Sequence, residues 1–307
     1  DIGLGQIVTA PDGFNYAIGV GNDGGDIRIE VTTGSLFLRG PDDTDAQNLL
    51  VDGGIAIYTQ GGNVTLSADD ILAGSTIDNM SAIETFGGDV TLNAGNNIYL
   101  GDQGDYADIN WRSVFNSNLG GAVNINAGND ITLDNFTFVY GVDDDINFTA
   151  QNDITIITRI TNFESEVYTT GTGDINLNAS NDVNIIGGIV DSEAGNISIT
   201  AGNDVNTSAD ALVASYGDGD VTILATNNVN VKDTAVEGFG AGDITITATN
   251  GDVVIDPSVV SGNDGDVIIT ASAGDVYILD NSTVETTGTG SIDITGNQDV
   301  YITDSEI

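Results

Sequence analysis

The feature that most constrains this chain is a segment that recurs mostly at steps of 22 to 26 residues. Six copies are GDVTLNAGNNIYL (88–100), GAVNINAGNDITL (121–133), GDINLNASNDVNI (173–185), GNISITAGNDVNT (195–207), GDVTILATNNVNV (219–231) and GDITITATNGDVVI (242–255). A period of this length is typical of solenoids, in which each unit buries its apolar face on its neighbours. All 307 residues can therefore belong to one continuous body.

Three columns of apolar residues run through the repeat, and each marks a strand. The first column is Ile27, Val64, Val90, Val123, Ile146, Ile175, Ile197, Val221, Ile244, Val267 and Ile292. The second is Leu36, Ile71, Ile98, Ile131, Ile154, Val183, Val205, Val229, Val253, Val276 and Val300. The third is Ile83, Val114, Val139, Val167, Val190, Val213, Val236, Val260, Val284 and Ile307. Apolar and polar residues alternate within each strand, which is the period of a strand with one buried face.

These columns predict an all-β fold, a three-strand β-solenoid of about eleven coils with about 23 residues each. Three parallel sheets would surround an apolar interior about 50 Å long. Residues 27–307 form the predicted solenoid, and residues 1–26, which lack the repeat, form a predicted N-terminal cap or joining strand. The period breaks near 101–120 and 157–166, where we expect loop insertions outside the stack.

A small residue stands four positions after each first-column residue. This column predicts a tight corner where only a methyl group fits inside. Its members are Ala68, Ala94, Ala127, Ala150, Ala179, Ala201, Ala225, Ala248, Ala271 and Gly296.

Composition argues against several classes of function. Five basic residues stand against 47 acidic ones, a formal charge of −42 that repels nucleic acid and anionic lipid. The chain has no Cys and no His, so thiolate chemistry and the commonest general base are absent. No apolar run is long enough to span a bilayer, so we expect no membrane insertion.

The unit G-[DN]-[VI]-x-[IL]-x-A-x-N-[DN]-[VI] resembles the haemagglutinin repeat of filamentous haemagglutinin-like proteins, the secreted adhesins of two-partner secretion systems. The resemblance covers about residues 62–307. It implies a right-handed parallel β-helix at the bacterial cell surface, acting in adhesion or biofilm formation without a cofactor. The NPNL and NPNGI motifs of that family's secretion domain are absent from residues 1–60, which leaves the secretion route open.

Two columns of Asp and Asn each precede an apolar column by one residue. The first contains Asp26, Asn63, Asp89, Asp145, Asp174, Asn196, Asp220, Asp243 and Asp266. The second contains Asp70, Asn97, Asp130, Asp153, Asp182, Asp204, Asn228, Asp252, Asp275 and Asp299. The interchange of Asp and Asn favours side chains that accept backbone N–H bonds in turns, because each Asn would remove charge from a calcium site.

Calcium is a second hypothesis for the same turns. Carboxylates stacked at coil spacing repel one another, and a divalent cation would relieve the repulsion. The Asp-rich turns that would bind Ca²⁺ weakly contain Asp264 and Asp266, Asp218 and Asp220, and Asp143 and Asp145. No other cofactor is expected.

Two further surfaces have competing interpretations. Small uncharged residues such as Asn176 and Asn178 fill the outward face of the first strand, which predicts stacked amide ladders or a flat face for carbohydrate, ice or lateral association. Tyr99, Tyr277 and Tyr301 share one outward column position, either as sheet cover or as a sugar-stacking strip.

We expect no catalysis, because the five basic residues that a polysaccharide-active β-helix enzyme would cluster around an anionic sugar are dispersed along the sequence. The predicted function is that of an extracellular structural or adhesive protein, a stiff shaft or a self-stacking filament subunit. The first alternative is a carbohydrate- or calcium-binding surface module, and the second is a polysaccharide-active β-helix enzyme, which needs a site that the sequence does not reveal. The expected partners are further copies stacked head to tail, and surface glycans.

Overall fold

A computed structural model of the chain describes residues 2–9, 15–22, 24–38, 51–73, 82–101, 113–117, 121–135, 137–159 and 164–307. The secondary structure of these residues consists of β-strands joined by turns. No helix in this part of the chain is long and apolar enough to cross a membrane.

The strands, numbered along the chain, fall into three rows that follow the three apolar columns. The first row is β3 (Ile27–Glu30), β6 (Val64–Ala68), β9 (Val90–Ala94), β12 (Val123–Ala127), β15 (Ile146–Ala150), β18 (Ile175–Ala179), β21 (Ile197–Ala201), β24 (Val221–Ala225), β26 (Ile244–Ala248), β28 (Val267–Ala271) and β31 (Ile292–Gly296). The second row is β4 (Ser35–Leu38), β7 (Asp70–Ala73), β10 (Ile98–Leu100), β13 (Ile131–Asp134), β16 (Ile154–Ile157), β19 (Val183–Ile186), β22 (Val205–Ser208), β25 (Val229–Gly238), β27 (Val253–Gly262), β29 (Val276–Ile278) and β32 (Val300–Ile302). The third row is β5 (Val51–Thr59), β8 (Ala82–Thr85), β11 (Ser113–Ser117), β14 (Thr137–Val142), β17 (Glu166–Thr170), β20 (Ile189–Ser192), β23 (Ala211–Ser215) and β30 (Thr283–Thr286), together with the second halves of β25 and β27.

Successive coils pair parallel and in register, which confirms the predicted β-solenoid. The first row is an eleven-stranded sheet whose strand order is its order along the chain. In the second row Val183 pairs with Val205, and Val205 with Val229. Residues about one coil apart in sequence are thus neighbours in space, as the apolar columns require.

The second and third rows belong to one 21-stranded sheet, where three separate sheets were expected. β25 and β27 run without interruption through the corner between the two rows, so that β25 pairs with β22 in one row and β23 in the other. At that corner Asp233 adopts a φ of 48°, and it is skipped in the register between β25 and β27. The bend is therefore absorbed at single residues while the strand pairing continues on both sides.

The three apolar columns line the interior, but the assignment of Val114 to the third column is wrong, because Phe115 pairs with Ile83 and Val139. Most of their members are fully buried, including Val64 in the first column, Ile71 in the second and Val190 in the third. The expectation of burial is wrong at the last coil, where Val300 is 41% and Ile307 50% exposed. Those side chains are exposed because coils pack against this last coil on one side only.

The predicted small-residue corner is confirmed. Ala179 pairs with Ala201 and Ala201 with Ala225, and all three side chains are buried. A second close approach explains the Gly that opens each repeat. A Cβ on Gly195 would lie 1.9 Å from the carbonyl oxygen of Gly173, and one on Gly219 would lie 2.0 Å from that of Gly195. Only a residue without a side chain allows the coils to stack at these points.

Two antiparallel strands, β1 (Ile2–Thr9) and β2 (Asn15–Asn22), precede the first coil. β2 pairs parallel with β5, so this hairpin extends the third row. Its role as a cap or joint stays a prediction. Of the two predicted insertions, residues 102–112, 118–120 and 160–163 lie outside the described residues, whereas Ser113–Ser117 forms a stacked strand between β8 and β14.

We predict that Ala201→Leu destabilises the solenoid by about 1–3 kcal/mol, because the larger side chain must enter a filled corner. Urea unfolding followed by circular dichroism would show a lower midpoint. Ala273→Leu makes the same change at an exposed bend and should leave the midpoint unchanged. Equal midpoints for the two variants would contradict the tight corner.

Candidate functional site

The first column of Asp and Asn forms a ladder that joins successive coils. At most steps a side-chain oxygen accepts a hydrogen bond from the backbone N–H at the column position of the next coil, and the series is interrupted at Ala122, which has no side-chain oxygen. Asp174 accepts from Asn196 at 2.8 Å, Asn196 accepts from Asp220 at 2.8 Å, and Asp220 accepts from Asp243 at 2.8 Å. The geometry is the same whether the acceptor is a carboxylate or an amide, which explains the interchange of Asp and Asn.

The second column forms a longer ladder with an additional donor. Asp182 accepts the backbone N–H of Asp204 at 3.0 Å, and Asp204 accepts that of Asn228 at 2.8 Å. The Asn that precedes the column residue also donates its side-chain amide to the same oxygen, as Asn203 does to Asp182 at 2.8 Å and Asn227 to Asp204 at 3.0 Å. The pair N-[DN] in the repeat is therefore a donor followed by an acceptor.

These hydrogen bonds favour the ionised form of one carboxylate in each ladder, Asp70 in the second column and Asp266 in the first. The backbone N–H of Asn97 lowers the pKa of Asp70, and the backbone N–H of Ser291, followed by its hydroxyl, lowers the pKa of Asp266. A carboxyl group with a depressed pKa in the folded state stabilises the fold above its unfolded pKa, and this contribution is lost as the pH falls through the folded value. The ladder should therefore weaken in acid.

The six proposed calcium ligands lie along the first-column ladder. Asp218 and Asp220 lie two coils before Asp264 and Asp266, because Asp220 connects to Asp266 through Asp243. Asp145 lies three coils before Asp220, through Asp174 and Asn196. The three Asp pairs are therefore on separate coils.

Most of the six side chains already accept hydrogen bonds. Asp218 accepts the backbone N–H of Ala241 at 3.0 Å, and Asp264 accepts that of Thr289 at 3.1 Å. Asp143 has a φ of 58°, the left-handed conformation that Asp tolerates in turns. Within the described residues no three His, Cys, Asp or Glu side chains are grouped closely enough to hold a metal ion. Calcium binding stays a prediction, and turn capping has direct structural support.

The outward faces carry amide ladders of the expected kind. Asn176 donates its side-chain amide to Asn147 at 3.0 Å, and Asn147 donates to Asn124 at 3.2 Å. A similar series in the second row joins Asn230 to Asn206 at 2.9 Å. These surfaces are ordered by amide-to-amide bonds along the stack.

The three Tyr residues of the predicted strip are not all neighbours. Tyr277 and Tyr301 stack with ring centroids 5.0 Å apart and planes 7° apart, so each ring covers one face of the other. Their hydroxyls donate to Asp275 at 2.9 Å and Asp299 at 3.0 Å, and the hydrogen bond to Asp275 raises the pKa of Tyr277 to about 12. Tyr99 pairs with Thr132, far along the stack from the other two, and donates to Asp134 at 2.6 Å.

The third row carries a cluster that sequence reasoning missed. Tyr140 and Tyr168 lie on its outward face with ring centroids 5.4 Å apart, and Tyr216 and Phe239 stack with centroids 5.2 Å apart. Asp191 lies between these pairs and is only 6% exposed, although Val190 beside it fills the interior. The signal available in the sequence was the concentration of aromatic and acidic residues at outward positions of the third row.

No protein-family model matches the chain, and neither a curated protein nor a solved structure matches it. The parallel β-solenoid is therefore established by its own strand pairing.

We predict that Asp204→Ala lowers the free energy of unfolding by about 1–2 kcal/mol, because the backbone N–H of Asn228 and two side-chain amides lose their acceptor. Asp204→Asn keeps an acceptor oxygen and should lose less than half as much. Asp256→Ala removes a carboxylate that makes no hydrogen bond among the described residues, and should change stability by less than about 0.5 kcal/mol. Chemical denaturation of the three variants ranks them, and equal losses for Asp204→Ala and Asp256→Ala would contradict the ladder.

If calcium binds the Asp-rich turns, millimolar Ca²⁺ should raise the melting temperature of chelator-treated protein, because a ligand of the folded state stabilises it. The double variant Asp264→Asn, Asp266→Asn should reduce this rise, since amides retain the ladder acceptors but not the charge. Mg²⁺ at the same concentration controls for screening. An unchanged melting temperature would eliminate the calcium hypothesis.

Proposed function

We propose that this chain is a stiff structural segment of an extracellular adhesin or filament, and that it acts without catalysis. The observation that carries the proposal is the uninterrupted coupling of its coils. From Ile175 to Val284 every coil pairs in register with the next, has a buried apolar interior, and is connected by side-chain ladders. In such a stack each coil is stabilised by its neighbours, so the assembly resists bending as a unit.

The composition of the surface supports a role outside the cell. The outward faces present amide and hydroxyl groups, and the formal charge is −42, which keeps a long body soluble and separated from other anionic surfaces. The resemblance of the repeat to that of secreted filamentous haemagglutinin-like adhesins supports the same location and a role in adhesion or biofilm formation. The absence of Cys makes the fold independent of the redox state of its surroundings.

Head-to-tail association of copies is part of this proposal, and the coil that contains Val300 and Ile302 illustrates the kind of surface that it requires. Its strands β31 and β32 each pair with one neighbouring strand, and Val300, Tyr301 and Ile302 are 41%, 44% and 48% exposed. An edge of this kind is extended either by further coils of the same polypeptide or by the first coil of a second copy. A second copy would continue the apolar columns and form a filament.

A second candidate function is a carbohydrate-binding surface module, and one observation favours it. Tyr301 is 44% exposed and stacks on Tyr277 with one face only, so its other face is available to a sugar ring. A glycan array probed with the wild-type protein and with Tyr301→Ala would identify such a ligand. Binding that is the same for both proteins would remove this candidate.

We predict rods under the electron microscope. Isolated molecules should be about 50 Å long, and at high concentration they should join into fibres, because stacked coils continue the strand pairing. Ile302→Asp should shorten the fibres, because it places a charge in the joint. The control Thr226→Asp places the same charge on the outer surface in the middle of the stack, and it should leave the fibre length unchanged. Compact particles would contradict the shaft, and a monomer at every concentration would contradict self-stacking.

A further inference from the structure

The outward face of the third row carries an acidic and aromatic patch that the shaft function does not require. We define the patch as Glu166, Tyr168, Asp191, Tyr216 and Glu237. Tyr168 pairs with Asp191 in the next coil, Asp191 pairs with Ala214, and Ala214 pairs with Glu237. Three patch residues, Tyr168, Asp191 and Glu237, therefore lie in one column along the stack. Glu166 and Tyr216 flank the column two positions to either side on the same face.

Asp191 is the unusual member of this patch. Strand alternation directs it outward, opposite to the buried Val190, yet it is only 6% exposed. Its Oδ1 atom is buried and has no hydrogen-bond partner among the described residues. A buried carboxylate without a donor is unfavourable, and the ladder carboxylates in the same coils all avoid this by accepting N–H groups. The fold itself does not explain why an acid is placed here.

Two aromatic rings lie close to this carboxylate. Burial raises the pKa of both Tyr168 and Tyr216, and the negative charge of Asp191 raises each of them further. Tyr216 is 47% exposed and stacks on Phe239, so part of its ring surface is accessible to a ligand. Rings beside a carboxylate form the kind of environment that attracts an organic cation, through the ring faces and through the charge.

The patch has no positive charge of its own. Strands β17, β20 and β23 contain no Lys or Arg, and Glu166, Glu193 and Glu237 add further negative charge around Asp191. Of the described basic residues, Arg28 pairs with Glu30 at 2.8 Å and Arg159 with Asp134 at 3.0 Å, while Lys232 lies opposite Asp256 in the second-row part of β25. With five basic residues in 307, a second copy is a poor source of the missing cation.

We propose that Asp191, together with Tyr168 and Tyr216, binds an organic cation, an ammonium or guanidinium group supplied by another molecule. The cation would donate to Oδ1 of Asp191 and lie against the two rings. A guanidinium group suits the site well, because it donates several hydrogen bonds in one plane and stacks on aromatic faces. The inference goes beyond the shaft function and does not depend on filament formation.

A groove beside the patch provides room for the rest of such a ligand. A cavity of about 500 Å³ lies along the corner that precedes the third row. Leu212, Ala235 and Val259 form its apolar side, and Asp210 and Asp233 form its acidic side. Leu212 is two residues before Ala214 on the same outward face, so the groove adjoins the patch. An extended basic polypeptide fits this combination of charge and apolar surface.

Binding should depend on pH. Burial raises the pKa of Asp191 to about 7, and the charge of Glu166 contributes to the rise. A bound cation favours the ionised carboxylate, so the free protein must release a proton on binding when the pH is below about 7. Affinity should therefore increase as the pH rises through about 7 and level off above it. Glu166, Glu193, Glu237, Tyr140, Tyr168 and Tyr216 are the other titratable groups of this face.

The test is a carboxyl-carbon NMR titration of Asp191 with butylguanidinium as the probe. At constant ionic strength, saturating probe should lower the pKa of Asp191 by about one unit or more. Asp191→Asn, which keeps the shape of the side chain, should weaken binding at least tenfold and abolish its pH dependence. Tyr216→Ala should weaken binding about fivefold. Asp256→Asn removes one charge elsewhere and should leave the affinity unchanged.

The outcomes are distinguishable. A pKa of Asp191 that moves equally in KCl, or equal affinities for wild-type protein and Asp191→Asn, would overturn the proposal. The wild-type titration does not depend on how well any variant folds. A peptide with one Arg in a Gly-Ser sequence separates the two sources of cation: binding tighter than that of butylguanidinium assigns a polypeptide, and equal binding assigns a small molecule. None of these results alters the shaft proposal, whose test is microscopy.

Discussion

The structure depends on one repeated interaction, the hydrogen bond from a backbone N–H to the side-chain oxygen of an Asp or Asn one coil earlier. Backbone hydrogen bonds between coils satisfy many turn amides, such as that of Asn203 to the carbonyl of Asn181, but the amides of the column residues depend on a side-chain acceptor. An unsatisfied N–H in a turn is unfavourable. Asp204 illustrates the solution, since it accepts the backbone N–H of Asn228 at 2.8 Å and two side-chain amides. The two ladders fix the register at the corners that precede the first and second rows, and the apolar columns then stack correctly.

The same interaction makes a charge of −42 compatible with a compact fold. Carboxylates at coil spacing would repel strongly if they faced one another directly. In the ladder each is separated from the next by an N–H donor, and the donor stabilises the negative charge. The depressed pKa values of Asp70 and Asp266 are the consequence of that arrangement. Negative charge on this protein is therefore partly structural.

The fold and the ladders were predictable from the sequence because both repeat. The columns headed by Ile27, Leu36 and Ile83 gave the strands, and the interchange of Asp and Asn indicated acceptors in turns. The joining of the second and third rows into one sheet was not predictable. It depends on whether β25 bends at a single residue and continues through the corner, or stops before the corner. The patch around Asp191 was also missed. Its members come from coils of unequal length, and their neighbours follow from pairings such as Tyr168 with Asp191, which only the register reveals.

The ladder also has a direction. In both columns the acceptor oxygen belongs to the earlier coil and the donor N–H to the later one, as in Asp182 and Asp204. A coil that has already folded thus presents a row of fixed oxygen atoms, and the segment that follows needs only to align its amides with them. If the coils fold in order from the N-terminus, each new coil finds acceptor oxygens that are already fixed. If they fold from the C-terminus, the acceptor side chains belong to the segment that is still unfolded and must be positioned as it folds. The polypeptide is suited to folding in the order in which it is synthesised.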